Sequence, residues 1–108
     1  MVEVAYDRKR LCVTVKGHAG TAPEGQDLVC AGVSALVNAL AVNVMDFGER
    51  GMISQAVLRL NKGDAEVSCV PVHGNKKAVK QVFDAFCIGL EALGERFEKN
   101  IAYRAVRS

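Results

Sequence analysis

The chain lacks tryptophan and has few aromatic residues or prolines. Its 108 residues include two tyrosines, four phenylalanines and two prolines, while 50% of the residues are hydrophobic and 24% are charged. This balance is typical of a soluble globular protein and excludes a disordered or fibrous chain. Because a chain of this length buries one sizeable core and not two, we expect a single domain over residues 1–108.

A strong excess of one charge is also missing. The formal net charge is +2 at pH 7, with acidic and basic residues interspersed, so long-range attraction to nucleic acids or membrane surfaces is weak. The sequence starts directly in a strand pattern without the features of a signal peptide, and we expect no apolar run to reach the roughly 18 residues that span a bilayer. The expectation is therefore no membrane partner and no direct contact with nucleic acid.

The four cysteines, at positions 12, 30, 69 and 87, form no CxxC pair. Most lie within apolar stretches, which favours reduced thiols in a cytoplasm. Two disulfides would be possible by number, but a domain with this much aliphatic core does not need them. Cys69 and His73 are four residues apart with Pro71 between them and no second ligand pair, so we expect no metal site and no cofactor.

Five short segments have the alternation and β-branched content of strands. They cover residues 2–6, 11–17, 56–61, 65–70 and 101–106. A turn with Gly63 separates segments 56–61 and 65–70 and predicts a hairpin. The basic turn between segments 2–6 and 11–17 predicts another.

Two further segments have helical spacing, with apolar residues every three or four positions. The first begins after Asp27 and ends between residues 46 and 48; the second covers about 75–100. The first is apolar on nearly all sides, which indicates a central helix or a dimer interface. The order β-β-α-β-β-α-β predicts an α+β fold in which two main helices pack on a mostly antiparallel sheet.

A histidine and a cysteine lie close to the predicted start of the first helix. Asp27 is well placed as the N-cap, which puts Cys30 at the third helical position, where the helix dipole favours a thiolate. The unpaired N–H groups of that turn would stabilise an oxyanion. His18 ends the preceding strand and could return over the helix start to move a proton, while Ser34 lies one turn beyond Cys30 on the same face.

Each of these residues also has an ordinary structural interpretation. A helical cysteine is usually a small buried hydrophobe, a histidine next to glycine is usually a strand-end residue, and an aspartate before a helix is usually only a cap. Asp27 could instead orient His18.

The segments Gly17-His18-Ala19 and Gly25-Gln26-Asp27-Leu28-Val29-Cys30-Ala31-Gly32-Val33-Ser34-Ala35-Leu36 closely resemble the bacterial ribosomal-processing cysteine protease family Prp. The resemblance implies a cysteine endopeptidase with Cys30 as nucleophile and His18 as general base and acid. Gly17, Asp27 and Ser34 take supporting roles. The loop that contacts substrate would consist of Gly20, Thr21, Ala22, Pro23, Glu24 and Gly25.

The resemblance further implies a cytoplasmic homodimer that takes part in ribosome maturation. Members of the family remove an N-terminal extension from the precursor of a large-subunit ribosomal protein, cutting after a Phe-Phe-like pair and before a small residue. This chain departs from the pattern at Thr21, Ala22 and Pro23, where many members carry aromatic residues.

Two other classes of function stay open at this point. A noncatalytic module that binds the ribosome or RNA would use the basic residues Arg8, Lys9, Arg10, Lys76, Lys77 and Lys80, and its binding would weaken steeply with salt. A redox sensor at Cys30 would be reversibly oxidised without cleaving peptides, although the sequence shows no neighbouring resolving cysteine.

Overall fold

The computed structural model describes residues 1–17 and 26–106, and for Gln26 and Asp27 it describes the backbone alone. The elements are β1 (Val2–Asp7), β2 (Cys12–Lys16), α1 (Gln26–Glu49), β3 (Ile53–Asn61), β4 (Asp64–Pro71), α2 (Lys76–Arg96) and β5 (Ile101–Val106). The strands form one sheet in the order β3-β4-β2-β1-β5. All neighbours are antiparallel except β1 and β5, which are parallel. The predicted α+β fold is confirmed.

The core lies between one face of this sheet and the two helices. Successive strand residues point to opposite faces, and one face is buried while the other is partly exposed. Buried strand residues include Val2, Val4, Tyr6, Val13, Val15, Ala65, Val67, Cys69 and Ile101. Cys12 lies in an apolar stretch but is only partly buried, because it alternates with buried Val13 and so faces the opposite side of the sheet.

The two helices pack against each other through reciprocal glycine contacts. A Cβ built on Gly32 of α1 would lie 3.4 Å from Leu93 Cδ1, and one built on Gly89 of α2 would lie 3.4 Å from Leu36 Cδ1. Gly32 of α1 meets Leu93 of α2, and Leu36, further along α1, meets Gly89, which comes earlier in α2. The two helices are therefore antiparallel. Each glycine leaves room for a leucine of the partner helix.

The helix boundaries differ from the sequence prediction at two ends. α1 already includes Gln26, so Asp27 is its second residue and not the N-cap. α2 ends at Arg96 and not near residue 100, because Phe97 leaves the helical conformation while its N–H still bonds the Leu93 carbonyl. The chain then turns directly into β5.

Helix α1 also corrects the expectation about apolar runs. Its segment Leu28–Glu49 is long and apolar enough, by length and composition, to cross a membrane. The same helix supplies core residues that pack on the sheet, among them Val29, Val33, Val37, Leu40 and Val44. Core helices and membrane spans pass the same test of length and composition, and the packing identifies α1 as a core helix.

A polar cluster ties the turn between β1 and β2 to the middle of α2. The buried Tyr6 hydroxyl donates a 2.8 Å hydrogen bond to Asp84 Oδ1, and Arg8 Nη2 lies 3.0 Å from Asp84 Oδ2. The Arg8 hydrogen bonds are the main cause of a lowered Asp84 pKa. The pKa of Tyr6 is strongly raised, chiefly by burial and then by the bond to Asp84.

Candidate active site

A groove of about 490 Å³ separates the first half of α1 from the end of the β3–β4 hairpin. Its α1 side contains Cys30, Ala31, Val33, Ser34, Val37 and Asn38. Its other sides are formed by the hairpin residues Leu60, Asn61, Lys62, Gly63, Asp64 and Ala65, together with Val2, Val15 and Gly17. A partly buried thiol and an exposed serine therefore share one open cleft with both polar and apolar lining residues.

The groove brings together three of the residues singled out from sequence: Gly17, Cys30 and Ser34. Cys30 and Ser34 line it from the same side of α1, as their spacing of four predicts. Gly32 lies elsewhere, since it packs against Leu93 of α2. Gly32 therefore faces α2 and not the groove.

The longer helix changes the position of Cys30 relative to the helix start. Cys30 is the fifth helical residue and not the third. In regular helix geometry its own N–H then donates to the carbonyl of Gln26, and the unpaired N–H groups belong to the preceding residues. The prediction of Cys30 in the first turn is wrong because helical hydrogen bonding extends back beyond Asp27. Cys30 instead begins the second turn.

Gly17 occupies a position that no other residue fits. Its φ of +98° lies in the region that favours glycine, and a Cβ there would collide with the carbonyl oxygen of Met1. Its N–H donates a 3.0 Å hydrogen bond to the Gly63 carbonyl in the β3–β4 turn. The end of β2 is thus fixed against both β1 and the hairpin that forms the groove wall.

Several predicted site residues lie outside the described residues. His18 and the predicted substrate loop, Gly20 to Gly25, belong to residues 18–25, and the side chain of Asp27 is likewise outside. His18 directly follows Gly17 in the sequence, and Gly17 is the last described residue before this gap.

The carboxylate among the described groove residues is already paired. Asp64 Oδ1 accepts hydrogen bonds from Lys16 Nζ, at 2.5 Å, and from Arg59 Nη2, at 3.1 Å. These bonds, with Lys16 as the larger cause, lower the Asp64 pKa. Asp64 is therefore held ionised and is a poor candidate for a general acid at neutral pH.

The remaining cysteines do not form a second centre in the part of the chain that is described. All four cysteines are free. Cys69 and Cys87 are buried, and burial raises their pKa values to about 11 and about 12, while His73 is exposed. Among the described residues, no group of three or more His, Cys, Asp or Glu side chains is placed to hold a metal ion.

The hairpin side of the groove was not predicted from sequence. Gly63 indicated a turn, but nothing in the local pattern of residues 60–65 shows that this turn faces α1. The contact depends on the pairing of β4 with β2, because this pairing places the β3–β4 hairpin next to α1.

The described part of the site is a groove beside the first half of α1, with Cys30 on one wall. The sequence matches the family described as Cysteine protease Prp over residues 1–102. The chain therefore belongs to the Prp family of cysteine proteases, which confirms the resemblance noted from its motifs.

Solved structures show the same fold. The Staphylococcus aureus ribosomal processing protease Prp in complex with a substrate peptide matches with a TM-score of 0.70 and 19% identity, over 97% of each chain. Its complex with a covalently linked product peptide matches with a TM-score of 0.67 and 20% identity, again over 97% of each chain. SMU.848 from Streptococcus mutans gives 0.70 and 22%, over 99% of this chain and 93% of that one. No curated protein matches the sequence significantly.

Proposed function

We propose that this protein is a cysteine endopeptidase that removes the N-terminal extension from the precursor of a large-subunit ribosomal protein, cutting after a Phe-Phe-like pair. The observation that carries the proposal is the position of Cys30 on the wall of an open groove. Family membership supports the cysteine chemistry, and the ribosomal processing activity of the S. aureus relative supports the substrate class.

In the proposed reaction Cys30 is the nucleophile. Its sulfur attacks the scissile carbonyl carbon, and His18 accepts the thiol proton and delivers it to the leaving amine. A water molecule then gives a proton to His18 and attacks the carbon of the resulting thioester. The C–S bond breaks, the peptide acid leaves, and His18 returns the proton to the Cys30 sulfur. Gly17 positions His18 through its anchored backbone, and Asp27 and Ser34 support the pair.

The groove suits an extended peptide with apolar side chains. Val33, Val37, Leu60 and Ala65 line it, and Leu60 is 47% exposed there. Burying a large aromatic side chain on such a surface is favourable. Residues 20–25 would contact the substrate, as the family resemblance implies.

Cleavage of the purified precursor tests the proposal. The wild type should give two fragments by mass spectrometry, and Cys30→Ser and His18→Ala should give none while remaining folded by circular dichroism. Cys12→Ser and His73→Ala are matched controls, since Cys12 faces the other side of the sheet and His73 is exposed beyond β4. Cleavage by Cys30→Ser, or loss of cleavage in the two controls, would contradict the assignment.

We also propose that the protein works as a cytoplasmic homodimer that associates through α1. Leu28, Val42 and Met45 lie on its outer side with 69%, 63% and 57% of their surface exposed. Exposed apolar residues aligned on one helix are typical of an interaction surface. Sedimentation should give a dimer for the wild type and for Ile88→Asp on α2, but a monomer for Val42→Asp. A monomeric wild type at micromolar concentration would overturn this part.

A further inference from the structure

A group of cations gathers at the end of the sheet opposite the groove. Lys9 and Arg10 lie in the turn between β1 and β2, and Lys76 begins α2; all three line one cavity of about 680 Å³. Lys77 follows Lys76, and Lys80 is close enough to Asp84 to contribute to its lowered pKa. We call Lys9, Arg10, Lys76, Lys77 and Lys80 the basic surface. The two segments are far apart in sequence, and the fold brings them together.

The charges of the basic surface are not neutralised by the described residues. None of its five side chains forms an ion pair within residues 1–17 and 26–106. The carboxylates around it are engaged: Asp84 pairs with Arg8, Glu66 lies 3.6 Å from Arg59, and Asp7 accepts the backbone N–H of Arg10 at 3.1 Å.

Helix stability does not explain these lysines. Cations in the first turn of a helix oppose the helix dipole, which favours acidic residues there. α2 nevertheless begins with Lys76 and Lys77, has no acidic residue in its first turn and receives no side-chain hydrogen bond from its N-cap, Asn75. These lysines are therefore available to an external anion without breaking a described ion pair.

We propose that the basic surface binds the phosphate backbone of structured RNA. Lysine is depleted from protein–protein interfaces, where aromatic residues are enriched. The basic surface consists mainly of lysine, and the described residues that line the cavity beside it include no aromatic residue. Lysine contacts to phosphates position a nucleic acid without reading its bases. The binding is therefore independent of sequence and strongly dependent on salt. This departs from the expectation of no nucleic-acid contact, which was based on the small net charge.

The position of the basic surface leaves the groove accessible. The surface lies at the start of β2 and the groove at its end, and the five residues of this strand separate them by roughly 17 Å. RNA bound at one end would hold the protein while the groove stays open to a peptide. This inference rests on the charges and not on the proposed peptidase activity.

Fluorescence anisotropy with a short labelled RNA duplex, measured over a series of salt concentrations, tests the proposal. The double variant Lys76→Gln/Lys80→Gln should bind about tenfold more weakly at low salt, and the slope of log affinity against log salt should fall by about two. The control Lys62→Gln/Lys99→Gln removes the same charge at the other end of the molecule and should keep wild-type affinity. Circular dichroism confirms that both variants fold.

Three results would overturn the proposal. The first is a wild type that does not bind the duplex at low salt, and the second is an equal loss in both double variants, which would indicate diffuse charge. The third is tighter binding to polyglutamate or to phosphatidylserine vesicles than to RNA, which would assign the surface to an acidic protein or a membrane. A DNA duplex of the same sequence shows whether the 2′-hydroxyl groups contribute.

Discussion

The backbone N–H of Gly17 donates a hydrogen bond to the carbonyl of Gly63 and joins the end of β2 to the turn that forms the groove wall. This one bond ties the residue before His18 to the hairpin that faces Cys30. Under the proposed function, this backbone contact would help to position His18.

Replacing Gly17 by alanine should therefore reduce both stability and cleavage. The positive φ alone costs about 1–2 kcal/mol for an L-residue, and the collision with the Met1 carbonyl adds to it. We expect a loss of about 2 kcal/mol or more in urea unfolding, and a fall in cleavage rate of at least about tenfold from misplacement of His18.

Gly74→Ala is the matched control for Gly17→Ala. Gly74 has a similar φ of +92°, but a Cβ there meets nothing within 4 Å. The Gly74→Ala variant should lose about 1 kcal/mol of unfolding free energy from backbone strain and should cleave the precursor at the wild-type rate. Equal losses of stability in both variants would show that the Met1 contact does not matter.

Alkylation should distinguish Cys30 from the two buried cysteines. The thiolate is the reactive species, so burial and a raised pKa both slow the reaction. Cys69 and Cys87 have both properties, whereas Cys30 is partly exposed in the groove. Iodoacetamide at neutral pH, followed by peptide mapping, should label Cys30 at least about tenfold faster than either. Earlier labelling of Cys87 would contradict the packing of α2.

The Asp84 cluster should make stability depend on pH in the acid range. Its folded pKa lies below the ordinary value of about 3.9, so its contribution is fully present above that value and is lost as pH falls through the folded pKa. Asp84→Asn should cost about 1 kcal/mol near pH 7, a modest value because Arg8 is half exposed. The difference from wild type should narrow below about pH 4.

Asp46→Asn serves as the control for Asp84→Asn. Asp46 pairs with Arg50 one helical turn away, and both side chains are largely exposed. Such pairs contribute about 0.3–0.5 kcal/mol. Urea unfolding at several pH values should separate the two variants, and an equal pH dependence in both would contradict a specific role for the Asp84 cluster.

Two glycine-to-alanine changes should have opposite effects on stability. At Gly32 the added Cβ would make an ordinary contact at 3.4 Å with a leucine methyl, so the gain in helix propensity should stabilise the protein by about 0.5 kcal/mol. At buried Gly94 it would lie 3.2 Å from Tyr103 Cβ, and crowding should cost about 1 kcal/mol. Thermal unfolding that ranks them in the reverse order would contradict the packing described.

The sequence predicted the order of elements because its strands alternate and its helices carry clear apolar stripes. Val79, Phe83 and Leu90, for example, are buried as their spacing indicates. The start of α1 was misplaced because Asp27 is a favourable N-cap by residue type, and residue type does not fix where helical hydrogen bonding begins.

The candidate site was predicted along the α1 wall and at Gly17, but not along the hairpin wall. Cys30 and Ser34 are four residues apart in one helix, so local geometry brings them to one face. The hairpin wall and the anchoring of Gly17 depend on pairing between β2 and β4 and on contacts with Met1 and Gly63. Such contacts join residues distant in sequence, and a local pattern contains no information about them.

The parallel pairing of β1 with β5 has a consequence for how the protein is made. β1 pairs with β2, which follows it directly in the chain. The pairing of β1 with β5 instead places Val2 opposite Ile101 and joins segments separated by nearly the whole domain. Contacts of such long sequence separation form late and slow folding. During translation, residues 2–71 supply the sheet side of the groove before β5 has been synthesised. The edge of β1 then stays open until the last strand emerges, and only its arrival completes the sheet.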